Sequence, residues 1–271
     1  MSEVDTSWTF APVVLVALVL YVAVYGARWR RSREQGGARA AGGGRLALWL
    51  LGIAVLAAAL LSPVDVLGEQ FASAHMAQHL LIADLAPIAL TLALTKHLLR
   101  PVTRRLRRLE QAAGPFGHPA FGVVAYVGVM WLWHVPALYD AALEYPAVHT
   151  LEHLSFGAAG LLYWWHLLSP IRSRLRLGGL GPVAYMASTK LLVGLLGVVL
   201  AFAPEAFYAY DFTAGPRWGL DAVDDQRVAG LVMALEQSIV MGIALAYLFA
   251  RMLSESDQED QRAERYASPA P

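Results

Sequence analysis

Residues 71–94 read FASAHMAQHLLIADLAPIALTLAL, a mostly apolar segment with two histidines four positions apart. Its length suits a helix that crosses a ~30 Å hydrocarbon core, for which ~20 residues are needed. His75 and His79 then share one face of that helix, with side chains about 6 Å apart. An imidazole is costly to place in lipid without a partner, so the pair indicates either a functional site or hydrogen bonds between helices.

The same spacing recurs in a second apolar segment, where His149 and His153 flank Glu152. A third apolar segment ends in the sequence WLWHVP and brings His134 to the end of its predicted helix. Imidazoles on neighbouring helix faces are suitable ligands for a transition metal. The spacing therefore suggests a metal site, with a polar patch between helices as the alternative.

Composition places the chain among membrane proteins. It has 271 residues, of which 57% are hydrophobic and 15% are charged, and a mean hydropathy of +0.48. These values predict an all-α polytopic membrane protein that contacts the lipid bilayer and no nucleic acid. The sequence has no cysteine, which excludes disulfides and thiolate metal sites. A transition metal must then be held by histidine, methionine, carboxylate or backbone ligands.

Seven hydrophobic segments have about the length of a membrane span. They are residues 10–26, 46–61, 71–94, 121–135, 148–168, 183–202 and 228–252. We expect residues 1–252 to form a single seven-helix transmembrane domain and residues 253–271 to form a flexible cytoplasmic tail.

The distribution of charged residues predicts the orientation of these spans. One set of loops is basic, with Arg28, Arg30, Arg31, Arg33, Lys96, Arg100, Arg104, Arg105, Arg107, Arg108, Arg172, Arg174, Arg176 and Arg251. The opposite loops are mainly acidic, with Asp65, Glu69, Asp140, Glu144, Glu205, Asp211, Asp221, Asp224 and Asp225 beside Arg217 and Arg227. Basic loops are typically cytoplasmic, so the N-terminus is expected outside and the C-terminus in the cytoplasm.

In this orientation the histidines divide unevenly between the two membrane surfaces. Three lie on the cytoplasmic side and need no special explanation: His97, His118 and His166. Five lie near the outer surface at similar depth: His75, His79, His134, His149 and His153. This shared depth predicts a metal or haem site in the outer layer.

Other polar or soft side chains lie near the predicted ligands. Glu152 and Gln78 share helix faces with the histidine pairs, and Met130 lies one turn from His134. A carboxylate or amide beside a ligand histidine accepts its second ring N–H, while a thioether favours Cu(I). Glu236 lies near the depth of His79, and for it a structural and a metal-related role both stay open. Asp84 and Lys190 also lie within the membrane at depths that allow them to pair, and we interpret both as structural contacts.

The ordered motifs resemble those of the bacterial cytochrome c oxidase assembly factor CtaG family. The motifs are HMAQHLL from residue 75 with Pro87 after it, WHVPALYDAA from residue 133, HTLEHLSF from residue 149, and Asp225-Gln226 before the last span. The resemblance covers residues 46–252. It implies a seven-helix membrane protein needed to mature a haem-copper oxidase and proposed to deliver copper to it. We place Asp225 with Gln78, Met130, Glu152 and Glu236 among the residues expected around the ligands.

The resulting expectation is a metal-handling assembly factor rather than an enzyme. The five outer histidines would bind copper transiently and pass it to a haem-copper oxidase subunit in the bacterial plasma membrane. A copper donor protein is a possible further partner. Two alternatives stay open: a histidine-rich membrane metalloenzyme of the oxygenase or desaturase type, and a haem-binding electron carrier with axial histidines from two helices.

Overall fold

The computed structural model of the chain describes residues 4–171 and 177–267. About 80% of these described residues are helical, and none of them forms a strand. The helices in chain order are α1 (Pro12–Ala40), α2 (Gly43–Leu61), α3 (Pro63–Gly68), α4 (Ala72–Leu80), α5 (Ala86–Ala93), α6 (Lys96–Leu99), α7 (Thr103–Ala113), α8 (Pro119–Trp133), α9 (Pro136–Glu144), α10 (Pro146–Leu168), α11 (Gly181–Ala201) and α12 (Ala222–Ala267). The predicted all-α class is confirmed.

Five helical stretches among the described residues are long and apolar enough to cross a membrane. They are Pro12–Ala40, Gly43–Leu61, Ala72–Ala93, Gly181–Ala201 and Ala222–Ser254. The pair Thr103–Gly117 and Pro119–Trp133, bent by 66°, makes a sixth if it is one span. These segments confirm a membrane protein with five to six candidate spans.

The predicted count of seven and the orientation of the termini stay predictions. The predicted span at residues 148–168 forms the 23-residue helix α10, but this helix is not among the candidate spans. Its first half carries His149, Glu152 and His153, and these polar side chains make the helix less apolar.

The basic loop expected after α10 is only partly described, and the expected tail is largely helical. Arg172, Arg174 and Arg176 fall outside the described residues. Helix α12 continues to Ala267, so it includes most of the segment expected to be a tail. The flexibility of that segment stays a prediction.

Proline residues begin several of the short and long helices. Pro63, Pro119, Pro136 and Pro146 occupy the first turns of α3, α8, α9 and α10. A proline suits this position because the first-turn N–H groups have no partner within the helix. Pro136 and Pro146 thus begin new helices shortly after the ends of α8 and α9.

A π-helical turn at Leu81–Leu85 joins α4 to α5 directly after His79. Such a turn accommodates an extra residue and is frequent at functional sites. Helix α10 approaches this turn so closely at Gly160 that an added Cβ would collide with the backbone of Ala83. The small residue thus lets α10, which carries Glu152 and His153, lie against the helix that carries His75 and His79.

The π turn also directs Asp84 into the core between helices. Its carboxylate accepts a hydrogen bond from the Tyr126 hydroxyl at 2.5 Å and from the Trp164 indole nitrogen at 2.8 Å. Lys190 is exposed on α11, whereas Asp84 is only 1% exposed. The suggested pairing of Asp84 with Lys190 is therefore wrong, and Asp84 joins α8 and α10 to the π turn instead.

Candidate metal centre

The helices α4 and α10 bring four potential metal ligands together. Ligand atoms of His75, His79, Glu152 and His153 all lie within 4.8 Å of one another. The first three are buried, and His153 is half-buried. His75 and His79 share one face of α4 at i, i+4 spacing, and Glu152 and His153 are adjacent residues of α10, so two helices packed side by side suffice to build the group.

Packing holds the imidazoles in place. The ring of His79 packs against Phe156 with centroids 4.1 Å apart, and His75 lies edge-on to His79 at 4.3 Å. Phe156 lies one turn after Glu152 on α10, so the same helix supplies both a ligand and a wall of the site.

Hydrogen bonding determines which nitrogen of His75 is free to bind a metal. Nδ1 of His75 lies 3.3 Å from the carbonyl oxygen of Gly68. A carbonyl oxygen only accepts, so Nδ1 carries the hydrogen and Nε2 of the neutral ring is unprotonated. A backbone carbonyl that orients the second nitrogen is the usual arrangement for a metal-binding histidine.

The unprotonated nitrogen faces a carboxylate. Nε2 of His75 and Nε2 of His79 lie 3.4 Å from the two carboxylate oxygens of Glu152. Among the described residues these two imidazoles are the basic side chains that contact the carboxylate of Glu152, which is fully buried. A buried carboxylate next to neutral imidazoles is unfavourable unless a cation is shared among them.

Several of these atoms make no hydrogen bond. They include Nε2 of His75, His149 and His153, both ring nitrogens of His79, and both oxygens of Glu152. Buried polar atoms are normally satisfied, so a group of them in one place calls for an explanation such as an ion. The donor set of imidazole and carboxylate fits a divalent or monovalent transition metal.

The other two predicted ligands flank the four-residue group. His149 is half-buried, with its ring centroid 4.1 Å from that of His153 and 5.5 Å from that of His75. His134 lies on the other side, with its ring centroid 6.3 Å from that of His79. All five histidines expected in one layer are thus neighbours, and their role as metal ligands stays a prediction.

Two of the residues expected around the ligands, Met130 and Glu236, lie beside the cluster. The Met130 carbonyl accepts a hydrogen bond from Nδ1 of His134 at 2.6 Å, and the Met130 side chain lines a small cavity with His79, His134 and Glu236. Glu236 is buried, at 7% exposure. These contacts put Met130 and Glu236 beside the histidine cluster.

Gln78 and Asp225 do not contact the ligand atoms as expected. Gln78 donates to the carbonyl oxygen of Ala59 and to Oδ1 of Asp65, both at 2.8 Å, because it faces α2 and α3. Asp225 accepts from the backbone N–H groups of Ala72 and Ser73 at 2.6 and 3.2 Å. It therefore caps the start of α4, and both residues act on the site by holding that helix.

A layer of tyrosines, which no sequence pattern indicates, covers the cluster. The Tyr139 ring lies 5.0 Å from that of His75 and stacks on Tyr208 at 3.7 Å. The Tyr210 hydroxyl donates to Gly68 at 3.0 Å, the carbonyl that also orients His75. Burial raises the pKa of Tyr208 and Tyr210 well above the usual range, so both hydroxyls stay protonated. Tyr139 lies within the quoted WHVPALYDAA motif, but no spacing signal connects it to residues 208 and 210.

The remaining histidines lie at the opposite ends of their helices. His118 precedes α8 and His134 follows it, while His166 lies 17 residues, or about 25 Å, after His149 on α10. Nδ1 of His118 accepts from the N–H of Ala120 at 3.1 Å and caps α8, and His97 is exposed. Their separation from the cluster agrees with the prediction that they have no part in it.

Comparison with known proteins finds a matching family and several distant relatives. Residues 23–255 match the model of the family described as cytochrome c oxidase caa3 assembly factor (Caa3_CtaG). An uncharacterized protein of Mycobacterium leprae is 23% identical over 97% of this chain and 42% of its own length. Uncharacterized proteins of Mycobacterium bovis and Mycobacterium tuberculosis are each 22% identical over 98% of this chain and 42% of their own length.

The chain thus spans less than half the length of these curated relatives. No solved structure matches it significantly. The family match covers most of the sequence, including all five clustered histidines. The predicted resemblance is confirmed, and the chain belongs to the cytochrome c oxidase caa3 assembly factor family.

Proposed function

We propose that this protein binds a copper ion at the cluster of His75, His79, Glu152 and His153 and supplies it to a haem-copper oxidase during assembly. The observation that carries the proposal is the convergence of these four ligand atoms within 4.8 Å, together with their lack of hydrogen bonds. Membership of the oxidase assembly family supports copper as the cargo.

The charges of the site suit a transient carrier. Three neutral imidazoles and one carboxylate give the site a net charge of about −1, so a bound cuprous ion is neutralised within the low-dielectric interior. His149 and His134 flank the four ligands on two sides. An ion can therefore exchange one imidazole for another as it enters and leaves, without a stage at which it lacks ligands.

The small space next to the site favours an ion over a porphyrin. The cavity that adjoins His79 and His134 has a volume of about 20 Å³, which is room for one water molecule or ion. A haem would need the helices to separate. We therefore prefer copper transfer to the haem-carrier alternative, and we assign the protein a non-catalytic role in the plasma membrane with an oxidase subunit as its partner.

The proposal is tested in a strain that lacks the gene, by measuring the copper and haem content of the purified oxidase. We expect the oxidase subunits to be inserted and to contain haem, but to be deficient in copper and activity. Added copper should restore part of the activity, because a high free-metal concentration substitutes for delivery.

Complementation with variants identifies the site. His79→Ala should behave like the deletion, whereas His118→Ala, at the far end of α8, should restore wild-type oxidase. An oxidase with a normal copper content in the deletion strain would refute the proposal. A Soret band in the purified assembly factor would support the haem alternative instead.

A further inference from the structure

A second group of soft donor atoms lies next to the cluster, on the side of His134. The cavity of about 20 Å³ is lined by three methionines, Met76 of α4, Met130 of α8 and Met233 of α12. His134 and His79 also line it. Met76 and Met130 are at most 5% exposed and Met233 is 7% exposed, so their thioethers are not directed at lipid or water.

The orientation of His134 is the informative feature of this cavity. Nδ1 lies 2.6 Å from the Met130 carbonyl oxygen, which only accepts, so Nδ1 carries the ring hydrogen. Nε2 of the neutral ring is then unprotonated, and it lies 3.1 Å from the sulfur of Met76. Two lone-pair donors therefore face each other at short range.

A shared cation explains this contact better than a hydrogen bond. A thioether is a weak acceptor, and a second proton on His134 would place a full positive charge in an apolar interior. A soft metal ion binds imidazole nitrogen and thioether sulfur together, and Cu(I) prefers such ligands. Zn²⁺ and Cu²⁺ have less affinity for neutral sulfur.

We propose that His134 and Met76, with Met130 and Met233 completing the wall, form a second site for Cu(I) next to the cluster. The inference rests on the proposed copper function and adds a second binding site to it. His79 adjoins both sites, so its imidazole can pass the ion between them by ligand exchange. No change in oxidation state is involved, because Cu(I) is both received and released.

The test is X-ray absorption spectroscopy of the purified full chain in detergent after anaerobic loading with Cu(I). We expect about two bound equivalents and a sulfur contribution to the copper coordination sphere. Met76→Leu, which conserves volume, should remove the sulfur contribution and lower the bound copper by one equivalent. Met186→Leu is the matched control, because Met186 is a buried methionine of α11 that does not line the cavity.

The double variant His75→Ala/His153→Ala separates this inference from the proposed function. It should lose the copper bound through nitrogen and oxygen alone and retain the copper that has a sulfur ligand. Copper bound by wild type without sulfur, and unaffected by Met76→Leu, would overturn the second site and leave the cluster. Sulfur-ligated copper with no loss in the double variant would overturn the cluster instead, and absence of bound copper in wild type would overturn both. The wild-type spectrum decides the presence of sulfur even if a variant fails to fold.

Discussion

Replacing Glu152 with glutamine tests the electrostatics of the metal centre with almost no change in shape. In the metal-free protein the substitution removes a buried charge, and the new amide N–H can donate to the unprotonated Nε2 of His75, which now lies 3.4 Å from a Glu152 oxygen. We expect the metal-free protein to be at least as stable as wild type. In the copper-bound protein the same change removes an anionic ligand.

The magnitude follows from the two contacts. Loss of even an outer carboxylate that only orients a ligand histidine costs about 10–100-fold in affinity. We use the upper value because Glu152 is itself a proposed ligand and also reaches two ligand imidazoles. At a free copper concentration about 100 times the wild-type Kd, bound copper stabilises the wild type by about 2.7 kcal/mol. With affinity about 100-fold weaker, that stabilisation falls to about 0.4 kcal/mol.

The assay is thermal unfolding of the purified protein in detergent with and without Cu(I), combined with competition against a chromophoric chelator. Glu144→Gln is the matched control, because Glu144 is an exposed carboxylate of α9. If Glu152 instead served as the partner of protonated histidines, Glu152→Gln would destabilise the metal-free protein by about 3–5 kcal/mol. That result, with copper affinity unchanged, would refute the reasoning.

Two further predictions concern the fold that supports the site. The chain has no cysteine, so a single introduced cysteine can be labelled specifically. Glu144→Cys should react with a membrane-impermeant maleimide in intact cells, whereas Arg104→Cys should react only after lysis. The opposite pattern would place the metal centre on the cytoplasmic side. Gly160→Ala should lower the free energy of unfolding by about 1–3 kcal/mol and weaken copper binding, because its Cβ collides with the Ala83 backbone. Gly194→Ala has no atom within 4 Å of the added methyl group and should leave stability unchanged or slightly higher in the same unfolding assay.

The cluster itself was accessible from sequence because helical periodicity is local. Spacing alone places His79 on the face of His75, and places Glu152 and His153, at i+3 and i+4, on the face of His149. Burial of those faces follows from the apolar surroundings. Successive spans cross the membrane in alternating directions, so their order alone predicted that the two pairs lie near the same membrane surface. The structure agrees with both inferences in bringing the four side chains together.

Features that depend on contacts between distant segments were not accessible. Spacing places Gln78 on the face of the histidine pair, yet its amide bonds to Ala59 and Asp65 of other helices. Asp225 contacts the start of α4 across more than 150 residues of sequence. The cover formed by Tyr208 depends on the path of the segment before α12. Each of these relations is set by tertiary packing, which no periodicity encodes.

Metal analysis after anaerobic loading with Cu(I) and removal of excess copper tests the central claim most directly. Wild type should retain copper, and the His75→Ala/His153→Ala variant should lose the equivalent held by nitrogen and oxygen ligands. The control variant His97→Ala should retain as much as wild type, since His97 is exposed and remote from the cluster. A copper content in the double variant equal to that of wild type would contradict the assignment of this cluster as the copper site.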